Sequence, residues 1–421
     1  MKRYYGSQQN VSKPVEKITL DAKTASKWRI FFIALFLCIG FGAIAYAFTH
    51  LHGSEKGWQK VVLDKVVEES CCYDFTLLYD FGKTGKSARK ERNGLEAAYR
   101  KLTVRTYRVF DRRKEYSGLG NLCTVNRHPN EEVEVEPELY AALETCLTYN
   151  ERMLFMGALT EHVEAWIASD SEEALLEYDP YLNEEVADFY QRTSKYANDP
   201  EAVSLRLLGN NEVKLCVSSE YEEFAKANDI VDYIDFGWAR NAFVADCLAD
   251  SLQEQGYTHG ILQSNDGFVR NFCEGDGSFR YSLSLWTDGK CYDAGEMEYT
   301  GGRSIVWLHD YPYNGAESEY RVLALPDGRK RHTYLGHDGF PKSAVPDMLI
   351  WSEKCSCGEI SVRMAQYYIA DFYDAIEAES EAKSAGIGFL ICTNGELFCN
   401  DDSVTFPVLN SYDGLAFRMA R

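Results

Sequence analysis

The residues best placed to do chemistry share one short stretch, Asp235-Phe236-Gly237-Trp238-Ala239-Arg240-Asn241-Ala242-Phe243-Val244-Ala245-Asp246. Apolar residues from Ile230 to Phe236 read as a strand that ends in a carboxylate. A glycine then turns the chain into a helix expected from about Ala239 to Gln255, with Gly256 as its stop. Backbone N–H groups at such a helix start favour a phosphate, and Arg240 stands beside them. Each residue also has a plainer reading. Asp235 can cap the helix that follows it. Asp246 can belong to a solvated face with Asp250 and Glu254, and Phe243 can be core. Cys355-Ser356-Cys357 is a CxC pair without a second pair, which reads as packing or a disulfide before it reads as zinc.

Other elements must position that stretch. Phe75 to Tyr79 reads as a strand, and Asn93 to Phe110 as a helix with Leu95, Tyr99 and Leu102 at helical intervals. Pro137 opens a helix to about Tyr149, proline being tolerated in the first turn. Ser204–Leu208 and Val213–Val217 flank Gly209-Asn210-Asn211, a hairpin signal. His259 to Gln263 is the next strand, a helix follows from about Ser361 to Lys383, and Ile387 to Cys392 is the last strand. Long helices among mostly antiparallel strands predict an α+β domain.

The 235–246 stretch and the later Leu262–Arg270 segment (LQSNDGFVR) together resemble the FAD:protein FMN transferase (ApbE) family. That family shows a DLGGIAKGYAVD-like segment, one helix, and then an NLGGDIR-like segment. Asp235 and Asp246 stand eleven apart as in the family, Gly237, Gly267 and Arg270 match, and Phe243 replaces a tyrosine. Phe155 and Trp166 are spaced as in the family's FDPTVGPLVNLW element, while Ser117–Asn126 is similar to its SELSRLN element. Tyr320, the run Asp327-Gly328-Arg329-Lys330-Arg331-His332 and Gly339-Phe340-Pro341 resemble its Y…DGKRYHHIIDPRTGYP run. The resemblance spans about residues 72 to 400.

It implies a duplicated T-fold that splits FAD at its pyrophosphate and moves FMN onto a Ser or Thr hydroxyl of a carrier protein. Mg²⁺ would offset the anionic pyrophosphate. Carried over residue by residue, it places Asp235, Gly237, Arg240, Asn241, Phe243, Asp266 and Gly267 at the flavin nucleotide, and His332 and Asp246 in the chemistry. The chain also departs from the family. The loop's second glycine is Trp238, its lysine is Asn241, and the aspartate of the GGD element is Phe268. The DAxxT metal motif, expected at a helix start, falls by chain length on Met364–Tyr368, which offers neither ligand. Asp371 and Asp374 are the nearby substitutes for the metal. These departures leave a second reading open, a catalytically degenerate flavin-nucleotide-binding or scaffold protein. The family's Ser/Thr-Gly-Ala-Thr carrier sequence does not occur here, so any acceptor is another protein.

Charge and hydropathy set the location expected for this domain. Ile30 to Thr49 is uncharged and long enough to cross the roughly 30 Å hydrocarbon core. Seven basic and two acidic residues precede it, which predicts a cytoplasmic tail at 1–29 and a single-pass helix at 30–50. A linker at 51–70 and an extracytoplasmic domain at 71–421 follow, so a flavin acceptor would be an envelope protein. Of the formal charge of −21, the first 50 residues contribute +5, which leaves −26 beyond them. Such a domain repels nucleic-acid phosphate, and no basic patch for DNA or RNA is present.

Overall fold

In the segment Phe75–Phe81 every second side chain (Phe75, Leu77, Tyr79 and Phe81) is buried, the period of a strand with one face on a core. The computed structural model describes residues 56–64, 66–85, 87–169, 171–287, 290–311, 322–325, 329–393, 396–402, 404 and 418–419. The tail 1–29, the apolar run 30–50 and the first linker residues lie outside them. Among the described residues, no helix is long and apolar enough to cross a membrane.

One nine-stranded sheet organises the chain from Glu55 onward. Its strands are β1 (Gly57–Val61), β2 (Phe75–Phe81), β3 (Gly260–Ser264), β4 (Phe268–Asn271), β5 (Arg303–His309), β6 (Asp347–Ser352), β7 (Ile387–Thr393), β8 (Glu396–Cys399) and β9 (Arg418–Met419), side by side in chain order. Every neighbouring pair is antiparallel except β8 with β9. All of β5 and β6 is buried, because both faces of the sheet are covered. On one face Val306, Leu308, Met348 and Ile350 meet the helices. On the other, Ile305, Trp307, Leu349 and Trp351 meet Leu283, Met297 and Tyr299 of the hairpin Ser278–Thr287 and Lys290–Thr300.

Four helices matter to the site: α1 (Ala88–Val109), α2 (Thr160–Ile167), α3 (Arg240–Glu254) and α4 (Cys357–Tyr368). Helix α1 buries Leu95, Tyr99 and Leu102 as its spacing predicts, and Ser87 caps its start. The helix from Pro137 ends at Tyr149. The 203–217 hairpin forms, with Asn210 and Asn211 at φ +50° and +63° as a two-residue turn requires. Its partner strand is Glu132–Glu134, in a separate three-stranded sheet. The mixed helix and sheet content agrees with the α+β expectation.

Two elements differ from the sequence reading. Residues 230–236 form no strand, since their amides bond to the Asn126 side chain and to helix carbonyls at Leu154 and Ala225 rather than to a ladder. The single helix expected over 361–383 is two, α4 and Ala375–Ala385, separated by an irregular segment. Asp374 starts the second by accepting from the amides of Ile376 and Glu377. Cys355 and Cys357 are buried free thiols whose Sγ atoms donate to the carbonyls of Ala385 and Val269.

Candidate functional site

Without ladder partners, residues 230–237 need other fastenings. Asn126 is the first: its Oδ1 accepts from the amides of Tyr233 (2.9 Å) and Ile234 (3.0 Å), and its Nδ2 donates to the Ile234 carbonyl (2.9 Å). The Asp235 amide donates to the Leu154 carbonyl at 3.0 Å. Gly157 permits that approach, for a Cβ there would lie 2.0 Å from the Asp235 nitrogen. Arg112 is the third fastening. Its buried guanidinium reaches Asp232, Asp235 (3.1 Å) and Glu164 (2.6 Å). Burial still pushes the carboxyls of Asp232 and Asp235 up, Asp232 to about 6, with Arg112 opposing.

Asp235 Oδ1 then accepts from the Gly237 amide at 3.3 Å. Gly237 has φ +52°, a left-handed conformation that favours glycine. A short turn at Gly237–Ala239 delivers the chain into α3. The residue before α3, Ala239, offers no side-chain cap; the turn runs straight on into α3 instead, with the Arg240 amide donating to the Gly237 carbonyl.

In front of it is a cleft of about 1330 Å³. Thr160, Val163, Glu164 and Ile167 of α2 form one wall, and Ala365, Gln366 and Ile369 at the end of α4 form another. Thr333, Leu335, Gly336 and His337 close a third side. The turn contributes Gly237, Trp238, Arg240 and Asn241, with Asp74 and Asp266 beside them. Arg240 also borders a smaller cavity of about 250 Å³ together with Tyr107, Arg112 and Arg113. Asn241 Nδ2 donates to Asp266 Oδ2 at 2.6 Å, and Ser264 donates to Asp266 Oδ1 at 2.5 Å. Burial raises the Asp74 carboxyl pKa; the Arg240 charge opposes this and the Asp266 charge adds to it. Trp238 lies nearly parallel to Phe268 and edge-on to Tyr334, so it fills the floor where the family's glycine would leave space.

The described cleft brings together Gly237, Arg240, Asn241, Asp266 and Asp371. The other candidates lie elsewhere. Asp235 is buried beneath the turn, held by Arg112. Phe243 packs against Phe236 at 4.8 Å between centroids, in the core. Gly267, at φ +96°, makes the β3–β4 turn, and a Cβ there would meet the Trp307 carbonyl at 2.5 Å.

Asp246 belongs neither to the cleft lining nor to a solvated face. It accepts from the amides of Cys357 (2.9 Å) and Gly358 (2.7 Å) at the start of α4 and pairs with Arg270 at 3.2 Å. It thus pins α4 to α3 and β4. His332 also lies outside the cleft lining and is buried: it is 6% exposed, and its Nδ1 has no hydrogen-bond partner among the described residues. Burial first, then the charges of Lys330 and Arg331, lower its pKa to about 3, so the ring is neutral.

The two substitute metal ligands do not converge. Asp371 is exposed at the rim and pairs with Lys342 at 2.8 Å, which lowers its pKa. Asp374 is occupied in capping Ala375–Ala385. Met364–Tyr368, where the metal motif was expected at a helix start, is the last part of α4. Among the described residues no three His, Cys, Asp or Glu side chains form a group able to hold an ion. Asp371 and Asp374 thus form no such group among the described residues.

The comparisons bear on this arrangement through its fold. No family model matches the sequence, and no curated protein does. Among solved structures, the ApbE protein of Thermotoga maritima matches with a TM-score of 0.52 at 16% identity, covering 79% of this chain and 94% of that one. The flavin transferase ApbE of Vibrio cholerae also gives 0.52, at 13% identity, covering 84% of this chain and 97% of that one. The chain has an ApbE-like fold. At these identities the likeness extends to architecture and no further, so the role of each side chain rests on the geometry above. Sequence reading did not single out Asn126, Arg112 or Asp74. Asn126 closes the SELSRLN-like element, and that position was the available signal; Arg112 and Asp74 carried none.

Proposed function

We propose that the cleft binds a flavin nucleotide, with its phosphates at the Gly237 turn against Arg240. The observation that carries this reading is a cleft of about 1330 Å³, lined at the Gly237 turn by Arg240 and Asn241, within an ApbE-like fold. The volume leaves ample room for a dinucleotide. The lining is polar at the turn and apolar toward Met153, Ile167, Ile369 and Phe372, which matches a ligand with charged phosphates and a flat ring. Ile30–Thr49 would anchor this domain in the cell membrane with its amino terminus cytoplasmic.

The ApbE-like fold supports transfer of FMN from FAD to a Ser or Thr, a duplicated T-fold being the family's framework for it, and the apolar run at 30–49 would make the acceptor an envelope protein. The positions of His332 and Asp246 outside the cleft lining favour the second reading, binding without transfer. Titration of the protein with FAD, followed by quenching of flavin fluorescence, tests binding. No saturable binding of FAD, FMN or AMP at millimolar concentration defeats it. Release of AMP from FAD in the presence of a Ser/Thr acceptor peptide would restore the transferase reading.

A further inference from the structure

We infer that Arg112 is a positioning residue for the nucleotide: its guanidinium ties the Gly237 turn to the α2 wall of the cleft, and the carboxylates it gathers couple nucleotide binding to proton uptake. This rests on the flavin-nucleotide reading of the cleft and deepens it.

Arg112 is buried and spends each of its three nitrogens on a different carboxylate. Nε meets Asp235 at 3.1 Å, one terminal nitrogen meets Asp232, and the other meets Glu164 of α2 at 2.6 Å. Asp235 passes the contact on, since its Oδ1 accepts from the Gly237 amide at 3.3 Å. Asp232 accepts on its other oxygen from Asn126 Nδ2 at 3.4 Å, and Asn126 Oδ1 holds the Tyr233 and Ile234 amides. Glu164 lines the cleft itself. Arg112 thus joins the Gly237 turn to α2 without lining the cleft. It borders the smaller cavity, which shares Asp74, Glu164, Arg240 and Asn241 with the cleft. A planar fork of five donors can serve three carboxylates at once, whereas a lysine ammonium is a point charge.

Negative charge is in excess around this guanidinium. Asp232 and Asp235 are buried and share Arg112 with Glu164, while the exposed Arg113 reaches only Glu164 of the three. Glu161 of α2 adds to the negative charge around Asp232, and Arg240 opposes it at Asp235. Cys123, on the short helix that carries Asn126, stays a neutral thiol because burial pushes its pKa up to about 11. A phosphate arriving at the Gly237 turn brings further negative charge to Asp235 and Asp232. Like charges held close disfavour ionisation, so the ligand favours the protonated form of a neighbouring carboxyl. Burial already pushes Asp232 up to about 6. A ligand that raises a pKa binds more tightly as the pH falls through it. FAD is the right probe, because its phosphates are diesters and lack the ionisation near roughly pH 6 that a phosphate monoester has.

The test is a titration of the full chain with FAD, followed by quenching of flavin fluorescence, at pH 5, 6 and 7.5. It is run on the wild type, Asp232→Asn and Arg112→Lys. Wild-type affinity should rise about threefold to tenfold from pH 7.5 to 5, tenfold being one unit of pKa displacement by the ligand. Asp232→Asn keeps an acceptor for Arg112 but has no proton to gain, so it should lose most of that rise. A proton taken up by His337 of the cleft lining would leave the rise in place, and the variant separates the two. Arg112→Lys cannot reach three carboxylates and should weaken FAD binding about tenfold at every pH, as loss of a charged hydrogen bond does. Asp232→Asn still reports if Arg112→Lys fails to fold. A wild-type affinity independent of pH, or the full rise kept in Asp232→Asn, overturns the inference while the FAD binding itself leaves the flavin reading intact. Wild-type affinity in Arg112→Lys overturns it too. No saturable FAD binding at any pH defeats the flavin reading and the inference with it.

Discussion

Asp232→Asn should flatten the acid limb of the protein's stability profile. Asp232 is 5% exposed, bonded to Arg112 and close to Asp235. Its carboxyl is pushed up to about 6 because burial outweighs the Arg112 charge, while in the unfolded chain it titrates near about 3.9. A carboxylate whose folded pKa is the higher one binds more protons in the folded state. Its contribution is therefore most favourable below the unfolded pKa and is lost as pH rises through the folded one. Two units correspond to about 3 kcal/mol at full titration, of which roughly 2 kcal/mol falls between pH 4.5 and 7. Asparagine keeps an oxygen for Arg112 but has no proton to lose, so the variant lacks this change. The assay is urea denaturation of both proteins at pH 4.5 and 7. The wild type should gain roughly 2 kcal/mol more than the variant on acidification. Parallel profiles, or a steeper gain in the variant, would show that Arg112 compensates Asp232 fully and that burial does not dominate at this site.

Other changes probe the remaining fastenings. Asp246→Ala leaves Arg270 and the amides of Cys357 and Gly358 without their acceptor and should cost about 3–5 kcal/mol in thermal or chemical unfolding. An unchanged melting temperature would return Asp246 to the list of candidate catalytic groups. Gly157→Ala puts a methyl 2.0 Å from the Asp235 nitrogen and should destabilise by at least about 1–3 kcal/mol, read by the same unfolding experiment. Phe372→Ala removes an aromatic ring that is 71% exposed at the cleft rim. Stability should stay within about 0.5 kcal/mol. FAD affinity should fall about fivefold through lost stacking, with ADP unaffected; equal loss for both ligands would place Phe372 away from the flavin ring.

The local rules of sequence carried far in this chain where an element closes on itself. The 203–217 hairpin, the Pro137 helix and β2 lie within a residue or two of their expected bounds because turn chemistry, a first-turn proline and a period of two act over a few residues. The Gly237 turn was legible for the same reason, and with it the place of Arg240 and Asn241 in the cleft. What was not legible is set by partners far away. Asp246 stands eleven residues after Asp235, a spacing that suggests a shared site, yet it caps a helix that starts 111 residues later. Arg112 meets Asp232 across 120 residues and Asn126 meets Ile234 across 108, so nothing near either side chain signals its role. The 230–236 segment looked like a strand because most of its residues are apolar or aromatic; only the distant Asn126 side chain shows that its hydrogen bonds go elsewhere. One miss was avoidable. Asp374 followed three residues later by Glu377 is a helix-start signature, and it placed a break inside the helix expected over 361–383. That break frees Asp371 and Phe372 to stand at the cleft rim, while the cap binds Asp374 to its own helix. Spacing along the chain offers Asp371 and Asp374 as a pair, and only the folded arrangement shows that the first is paired with Lys342 and the second holds the start of its own helix.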